Sequence, residues 1–398
     1  MSLLSRREAW IWTASLLLVS ALLISTHFTS DDPDSALYAD LSARLAAGSA
    51  TRWIAPEWWG NWNTEGLFRE HPAGVFLLPA LLGALGIPGV QAAYVVGVAS
   101  GLACLIVLGH LIAHVTTPRD GRLALVLLQV TPLASIFRIR ANHEYPMLLC
   151  LLIGLVGLDA VRRRWSAIWI APIALTMALL VKGVFVAVPL LAAAWWIVLN
   201  PMQARGSAWR AIAACVLSIV LMATTASLYD ALYLRATGET FWGPYWARQL
   251  APLTIATPGD GEGTFLPHLG FYLLRMLWHP APWSFAVFTW LWIQRGRWVT
   301  RWRALGQGER RGALFALGFA LASILMLSPV SRFAERYAFS ANYAVAAAGL
   351  VVALRVWPAV RTAVEHLDQR VPALPAFLWL ALMFLRLALG PILPRISA

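Results

Sequence analysis

The sequence predicts an all-α, polytopic membrane protein of about 11 spanning helices, and three observations carry that reading. Of 398 residues, 60% are hydrophobic and only 13% charged, against about 25% charged in a soluble globular domain. Apolar runs such as Trp10 to Ile24 and Ala313 to Leu327 recur along the chain, and about 20 apolar residues span a bilayer core. The cations, all arginine except Lys182, sit in short clusters between those runs. That is the topology signal of membrane proteins. The net charge of +12 therefore does not mark a nucleic-acid partner, which would need a basic face. No segment is polar enough for a separate soluble domain, so residues 1–398 read as one transmembrane domain. Cys104, Cys150 and Cys215 all fall inside apolar runs and read as small buried hydrophobes, not as a disulfide or metal framework.

The first helix runs from about Ala9 to His27. Arg6 and Arg7 precede it and put its start in the cytoplasm. No small-residue cleavage site precedes Asp31, so it is a retained helix rather than a signal peptide. A long external loop follows, rich in acids and tryptophans, and the external region extends over residues 28–89. Within it, Asp34 to Leu45 has helical apolar spacing. This predicts an amphipathic helix lying on the membrane, with Asp34 at the N-terminus, where a carboxylate is stabilised.

Pro72 to Leu85 is short for a crossing, and parity assigns it. Arg119 and Arg122 form one basic loop, Arg162 to Arg164 the next. Two spans, about Leu123 to Ile136 and Tyr145 to Val161, separate them. Both loops are then cytoplasmic and Arg138 to Glu144 is external. Val90 to Val115 must cross inward to reach Arg119, so Pro72 to Leu85 starts and ends outside. The chain goes out over Trp165 to Val181, returns over Val184 to Leu199 and goes out again over Ala211 to Leu234. A second external loop covers 235–267. Spans follow over His268 to Ile293, Ala313 to Leu327, Tyr337 to Val356 and Ala373 to Leu389. The inside bias of the cations is modest on this map, so the external ones need a separate explanation.

Five external groups supply candidates. The cluster Asp31-Asp32-Pro33-Asp34 reads either as a solvated helix-ending turn or as a site. Arg138, Arg140, Asn142, His143 and Glu144 crowd a turn between apolar helices, where charges are costly unless paired or wetted. Arg69-Glu70-His71-Pro72 enters the short helix, where proline suits the first turn. Lys182-Gly183 ends a helix, and Arg332, Glu335 and Arg336 precede Tyr337. Together they set acids and cations on one external surface. Such a surface suits transfer from a lipid-linked phosphosugar: cations hold the departing phosphate and a carboxylate takes the proton of an attacking hydroxyl. The 21 tryptophans are mainly belt residues, while those from Trp53 to Trp62 also suit stacking on a sugar. His110 and His114 lack a third metal ligand. Gly97 and Gly101 form a GxxxG for close packing.

In order along the chain, these residues resemble the GT-C class of membrane glycosyltransferases, in the group of lipid A aminoarabinose transferases and protein O-mannosyltransferases. Asp34-Ser35-Ala36-Leu37-Tyr38-Ala39 resembles the Asp-Glu-x-x-Tyr-Ala opening, and Glu70-His71-Pro72 resembles Glu-Lys-Pro-Pro. Arg140 to Glu144 is similar to an Arg-x-x-x-Asp turn, and Leu180 to Gly183 to Leu-Thr-Lys-Gly. Phe271-Tyr272 with Pro282-Trp283, and Arg336-Tyr337, resemble later marks. The resemblance implies a GT-C-like helical bundle in a bacterial inner membrane, with its active site facing the periplasm. It implies Asp34 as catalytic carboxylate and Glu144 as second acid. It implies Arg138, Arg140, His71, Lys182, Arg332 and Arg336 toward the donor phosphate, and Tyr38, Glu70, Trp59 and Tyr272 toward substrate. His71 and Glu144 depart from the expected lysine and aspartate. The implied donor is a polyprenyl-phosphate sugar, and the acceptor a lipid, glycan or protein. No cofactor is required, although some relatives hold a divalent metal at positions matched by Glu70 and His268. No periplasmic C-terminal domain is expected after the last span. The competing reading is a transporter or flippase, which would place ionisable groups near the midplane and often shows internal repeats; no repeat is evident.

Overall fold

The computed structural model describes residues 3–30, 32–48, 53–58, 66–199, 205–249, 265–329 and 334–389. Helix α1 (Arg6–Ser25) starts with a capping box in which Ser5 and Glu8 satisfy each other's backbone N–H. The amphipathic helix appears as α2 (Pro33–Ala46), capped by Asp32 with Pro33 in its first turn. A two-residue antiparallel pair follows, β1 (Glu57–Trp58) with β2 (Gly66–Leu67), in register Glu57 to Leu67. Then come α3 (Gly74–Ala84), α4 (Gly89–Val115), α5 (Pro118–Leu127) and α6 (Pro132–Phe137). They are followed by α7 (Glu144–Arg163), α8 (Ile170–Lys182), α9 (Ala187–Leu199), α10 (Arg205–Thr237) and α11 (Trp242–Gln249). After residues 250–264, which are outside the described set, come α12 (Phe265–Trp278), α13 (Trp283–Ile293), α14 (Trp298–Ala304) and α15 (Gln307–Leu327). The described chain closes with α16 (Phe339–Val356), α17 (Pro358–Arg370) and α18 (Leu374–Leu389).

Ion pairs define two ends of the bundle. At one end Glu8 meets Arg122, His114 meets Asp159, and Glu309 meets Arg355. Helix α17 is strapped on there through Arg361 to Asp120, Glu365 to Arg119 and Asp368 to Arg122. At the other end Asp34 meets Arg336, Asp32 meets Arg140, and Glu144 meets Lys182. Loops that parity assigned to one side of the membrane thus share one end. The arginine-rich end is not purely basic, because six acids are built into its pairs.

Among the described residues, seven helices are long and apolar enough to cross a membrane, or eight if α17 with α18, bent by 95°, counts as one. Several crossings read from sequence are broken, and length and composition do not confirm the expected count of 11. Leu123 to Ile136 is not one helix: α5 ends in a 3-10 turn, Leu128–Val130, before Thr131 caps α6. The freed backbone groups find partners, as burial in a membrane requires. Leu127 O accepts from Trp283 Nε1 at 3.0 Å, and Leu133 N donates to His279 O at 3.0 Å. His268 to Ile293 is likewise two helices, α12 and α13, joined through His279–Pro282 with a cis Ala281-Pro282 bond.

The 35-residue stretch Trp165–Leu199 would be about 52 Å long if straight, far more than a bilayer core of about 30 Å. It instead folds back at Gly183. Lys182 lies at Glu144, the first residue of α7, and α9 then returns along α7, burying Val188, Ala192 and Trp196 in the core that holds Leu151 and Leu155. Helix α3 does not cross. A Cβ on Gly74 would overlap Leu180, next to the Lys182 turn. At the far end of α3, Gly83 closes on Ala46 and Gly89. Both ends therefore sit at the Glu144 end, as parity required.

Candidate active site

The start of α2, the 138–144 turn, the Lys182-Gly183 turn and the segment before α16 meet at one end of the bundle. Asp32 Oδ2 accepts from the Ser35 N–H at 3.1 Å and from its hydroxyl at 2.5 Å. The same Ser35 Oγ accepts from Ala141 N–H at 3.2 Å, tying α2 to the turn. Gly97 of α4 lets that turn approach, since a Cβ there would overlap the Arg140 carbonyl. The GxxxG glycine thus admits a turn, while Gly101 faces the Tyr145 ring. Asp34, in the first turn of α2, is ion-paired with Arg336. Asp32 lies 3.8 Å from Arg140, whose guanidinium stacks on Phe137 at 4.4 Å.

Beneath these half-buried pairs lies a closed layer. Glu144 is 2% exposed; its Oε1 stands 3.0 Å from His143 Nε2 and 3.8 Å from Lys182 Nζ. Lys182 rests on Phe185 at 4.6 Å and Tyr337 at 5.4 Å. The His71 and His143 rings are 4.9 Å apart, and Tyr38 packs on both at 6.2 and 5.5 Å. Burial raises the Tyr38 hydroxyl pKa well above the ordinary phenol value, and the Glu144 and Glu70 charges raise it further. Burial, then the charges of His143 and Lys182, hold His71 well below the usual imidazole range. His143 is also lowered, by burial, against the pull of Glu144. At neutral pH both rings are uncharged, so His71 has no positive charge to offer a phosphate. It has one ring N–H.

The α10–α11 corner holds two of these segments in place. The Tyr245 hydroxyl accepts from Val184 N–H at 3.0 Å and lies 3.5 Å from Lys182 O. Gly183 has φ +58°, and a Cβ on it would overlap that hydroxyl. The Tyr229 hydroxyl accepts from Ala73 N–H at 3.0 Å and donates to Ile54 O at 2.9 Å. Arg69 pairs with Glu239 and donates to Tyr233 Oη at 3.3 Å.

Asp34, Tyr38, His71, Arg140, Glu144, Lys182 and Arg336 are thereby brought together, with Glu70 in the electrostatic surroundings of Tyr38. Arg138 is not with them. Its Nη2 donates to Gln129 O at 2.6 Å, bracing the broken crossing beside the Tyr145–Tyr343 hydroxyl pair. Tyr272 is fully buried between α12 and the 335–338 turn. Trp59 and Arg332 lie outside the described residues. Among the described residues no three His, Cys, Asp or Glu side chains group to hold a metal. Glu70 and His268 belong to no such group of three among the described residues. Sequence reasoning named Asp32 and His143 only as members of candidate clusters, and gave neither them nor Ser35 and Tyr245 a particular role at the site. An Asp-Pro pair opening an apolar helix is a cap signal, so Asp32 was findable. The other three depend on contacts across the fold.

This end-loaded bundle with juxtamembrane helices has the GT-C fold, all-α and polytopic. Among the solved structures it is similar to is ArnT from Cupriavidus metallidurans in the apo state. The TM-score is 0.66 and the identity 17%, over 96% of this chain and 76% of that one. ArnT from the same organism bound to undecaprenyl phosphate matches with TM-score 0.62 and 17% identity, over 95% and 75%. No protein-family model matches the chain, and no curated protein matches it in sequence.

Proposed function

We propose that this protein is an inverting glycosyltransferase that moves a sugar from a polyprenyl-phosphate donor to a hydroxyl of an envelope lipid, glycan or protein. The observation that carries the reading is the convergence of Asp34, Arg140, Glu144, Lys182 and Arg336 at one end of the bundle. It is supported by a fold shared with a protein crystallised with undecaprenyl phosphate. In the reaction the acceptor oxygen bonds to the anomeric carbon as the bond from that carbon to the phosphate oxygen breaks. Asp34 takes the hydroxyl proton. Arg336, Arg140 and Lys182 stabilise the charge on the departing polyprenyl phosphate. Glu144 holds Lys182 in place, and Tyr38 and Glu70 border the sugar. Donor phosphate competes with Asp34 for Arg336, so donor binding frees the carboxylate that acts next.

The N-terminus is then cytoplasmic, with the site at the periplasmic face of a bacterial inner membrane. Membranes holding the protein, incubated with labelled polyprenyl-phosphate sugars, should transfer label to endogenous acceptor. Asp34→Asn should abolish transfer at unchanged expression, and undiminished transfer by that variant would remove Asp34 from the mechanism. Flux of a lipid-linked sugar across acceptor-free proteoliposomes, without transfer, would favour a transporter instead.

A further inference from the structure

The corner between α12 and α13 carries a buried histidine to which the transfer chemistry gives no role. His279 is 1% exposed, and neighbouring segments fix it from several sides. Its carbonyl accepts from Leu133 N–H at 3.0 Å, in the first turn of α6. Its Nδ1 lies 3.0 Å from Asn342 Nδ2, and Asn342 is fully buried on α16. Further along the corner, the Trp283 indole donates to Leu127 O at 3.0 Å. A Cβ on Gly349 of α16 would overlap the Trp283 carbonyl, so α13 and α16 are in close contact there. The imidazole therefore stands on a frame built from α6, α13 and α16.

The other ring nitrogen faces the candidate site. His279 Nε2 is 3.6 Å from Glu335 Oε2, and the Glu335 side chain is 27% exposed. An ionised carboxylate only accepts hydrogen bonds, so Nε2 carries the proton. Glu335 opens the 3-10 turn Glu335–Ala338, and the next two residues reach the site. Arg336 pairs with Asp34, and the Tyr337 ring lies 5.4 Å from Lys182 Nζ. The Glu335 carboxylate also feels the charges of Arg140 and Arg275. An acid beside a phosphate site weakens it by charge alone. Holding the turn is a role that would offset that cost.

We propose that His279 and Glu335 are positioning residues, through which the rigid corner holds the 335–338 turn, and with it the Arg336 guanidinium, where the phosphate of a polyprenyl phosphate binds. Arg336 has to exchange the Asp34 carboxylate for that phosphate. Its backbone must then be held by something other than its own ion pair, since small misplacements of a charge-stabilising group are costly. The Glu335 contact with His279 supplies that hold. The proposal rests on the transfer reading for what Arg336 binds, but not on which sugar or acceptor is used.

The full-length protein in detergent micelles is titrated with undecaprenyl phosphate, and bound lipid is read by native mass spectrometry. His279→Leu should weaken binding about tenfold, the order expected for losing a hydrogen bond to a charged group. His279→Gln, whose amide N–H can take the place of Nε2–H, should recover most of that loss. In an Arg336→Gln background, His279→Leu should cost no more than about twofold further, because it acts through Arg336. Glu335→Gln supplies the sign. Charge alone would tighten anion binding when an acid is removed, whereas loss of positioning weakens it. Tighter binding in Glu335→Gln, no rescue by His279→Gln, or losses of His279→Leu and Arg336→Gln that simply add would each overturn the proposal. Thermal midpoints check that the variants fold, and the size-conserving Glu335→Gln carries the test if His279→Leu does not. Histidine nitrogen chemical shifts should show the His279 proton on Nε2, and a bare Nε2 would also overturn it. The transfer reading fails separately. Undiminished transfer by Asp34→Asn would remove its base and leave these binding results standing, and a wild type that binds no undecaprenyl phosphate would overturn both.

Discussion

Replacing Lys182 by methionine isolates the interaction on which the closed layer of the site depends. The Glu144 and Lys182 side chains are 1% and 5% exposed, with Nζ 3.8 Å from Oε1. At that separation the attraction is about 4 kcal/mol for an effective dielectric near 20. Lys182→Met leaves the Glu144 carboxylate buried without its cation, and such losses run at about 3–5 kcal/mol. Glu144→Gln should be milder, near 2 kcal/mol, because Phe185 and Tyr337 still face the ammonium. The double variant replaces a buried pair by neutral groups of similar size, which is often neutral or stabilising. It should therefore be more stable than Lys182→Met alone, with a coupling energy of about 3 kcal/mol. His143, 3.0 Å from Glu144, can take up a proton once Lys182 is gone. The defect of Lys182→Met should then be smaller at pH 6 than at pH 8. Unfolding in mixed micelles, followed by the fluorescence of the 21 tryptophans, gives the four free energies of the cycle. A double variant whose loss equals the sum of the singles would refute the pairing argument.

Three further outcomes are expected. Gly183→Ala combines a positive φ with overlap of the Tyr245 hydroxyl, so it should lose about 3 kcal/mol in the same unfolding assay; Tyr245→Phe in that background should recover only part, because the φ penalty remains. Gly97→Val pushes a side chain into the Arg140 carbonyl; thermal midpoints should fall, and transfer should fall further as the 138–144 turn moves away from Asp32. Burial lowers the His71 pKa in the folded state, so the unfolded chain binds the extra proton. Stability is then complete above about pH 6.5 and declines as pH falls through that value, by up to about 1.4 kcal/mol at pH 5.5. His71→Asn should flatten that slope in a midpoint-against-pH series, and an unchanged slope would mean His71 is charged in the folded protein.

Hydropathy and the spacing of arginine clusters, which are local properties, decide that segments cross. The sequence therefore determined the polytopic all-α architecture, the amphipathic α2 with Asp34 in its first turn, and the non-crossing α3. It also determined which turns share an end, because each crossing reverses the side and parity propagates along the chain. Motif order pointed to Asp34, Glu144, Lys182 and Arg336 before any contact was known. Only the tertiary structure decided where crossings break, since the backbone groups released at Leu128–Val130 are satisfied by the distant His279–Trp283 segment. It alone turned Arg138 toward Gln129 while Arg140, two residues on, faces Asp32. It alone set His143 against Glu144 and His71 and made both rings neutral, because a histidine's charge follows its burial and neighbours. Crossings are fixed by transfer of each segment from water to lipid, but pairing and protonation are fixed by neighbours that only the folded chain brings together, from adjacent residues to Arg336 at Asp34.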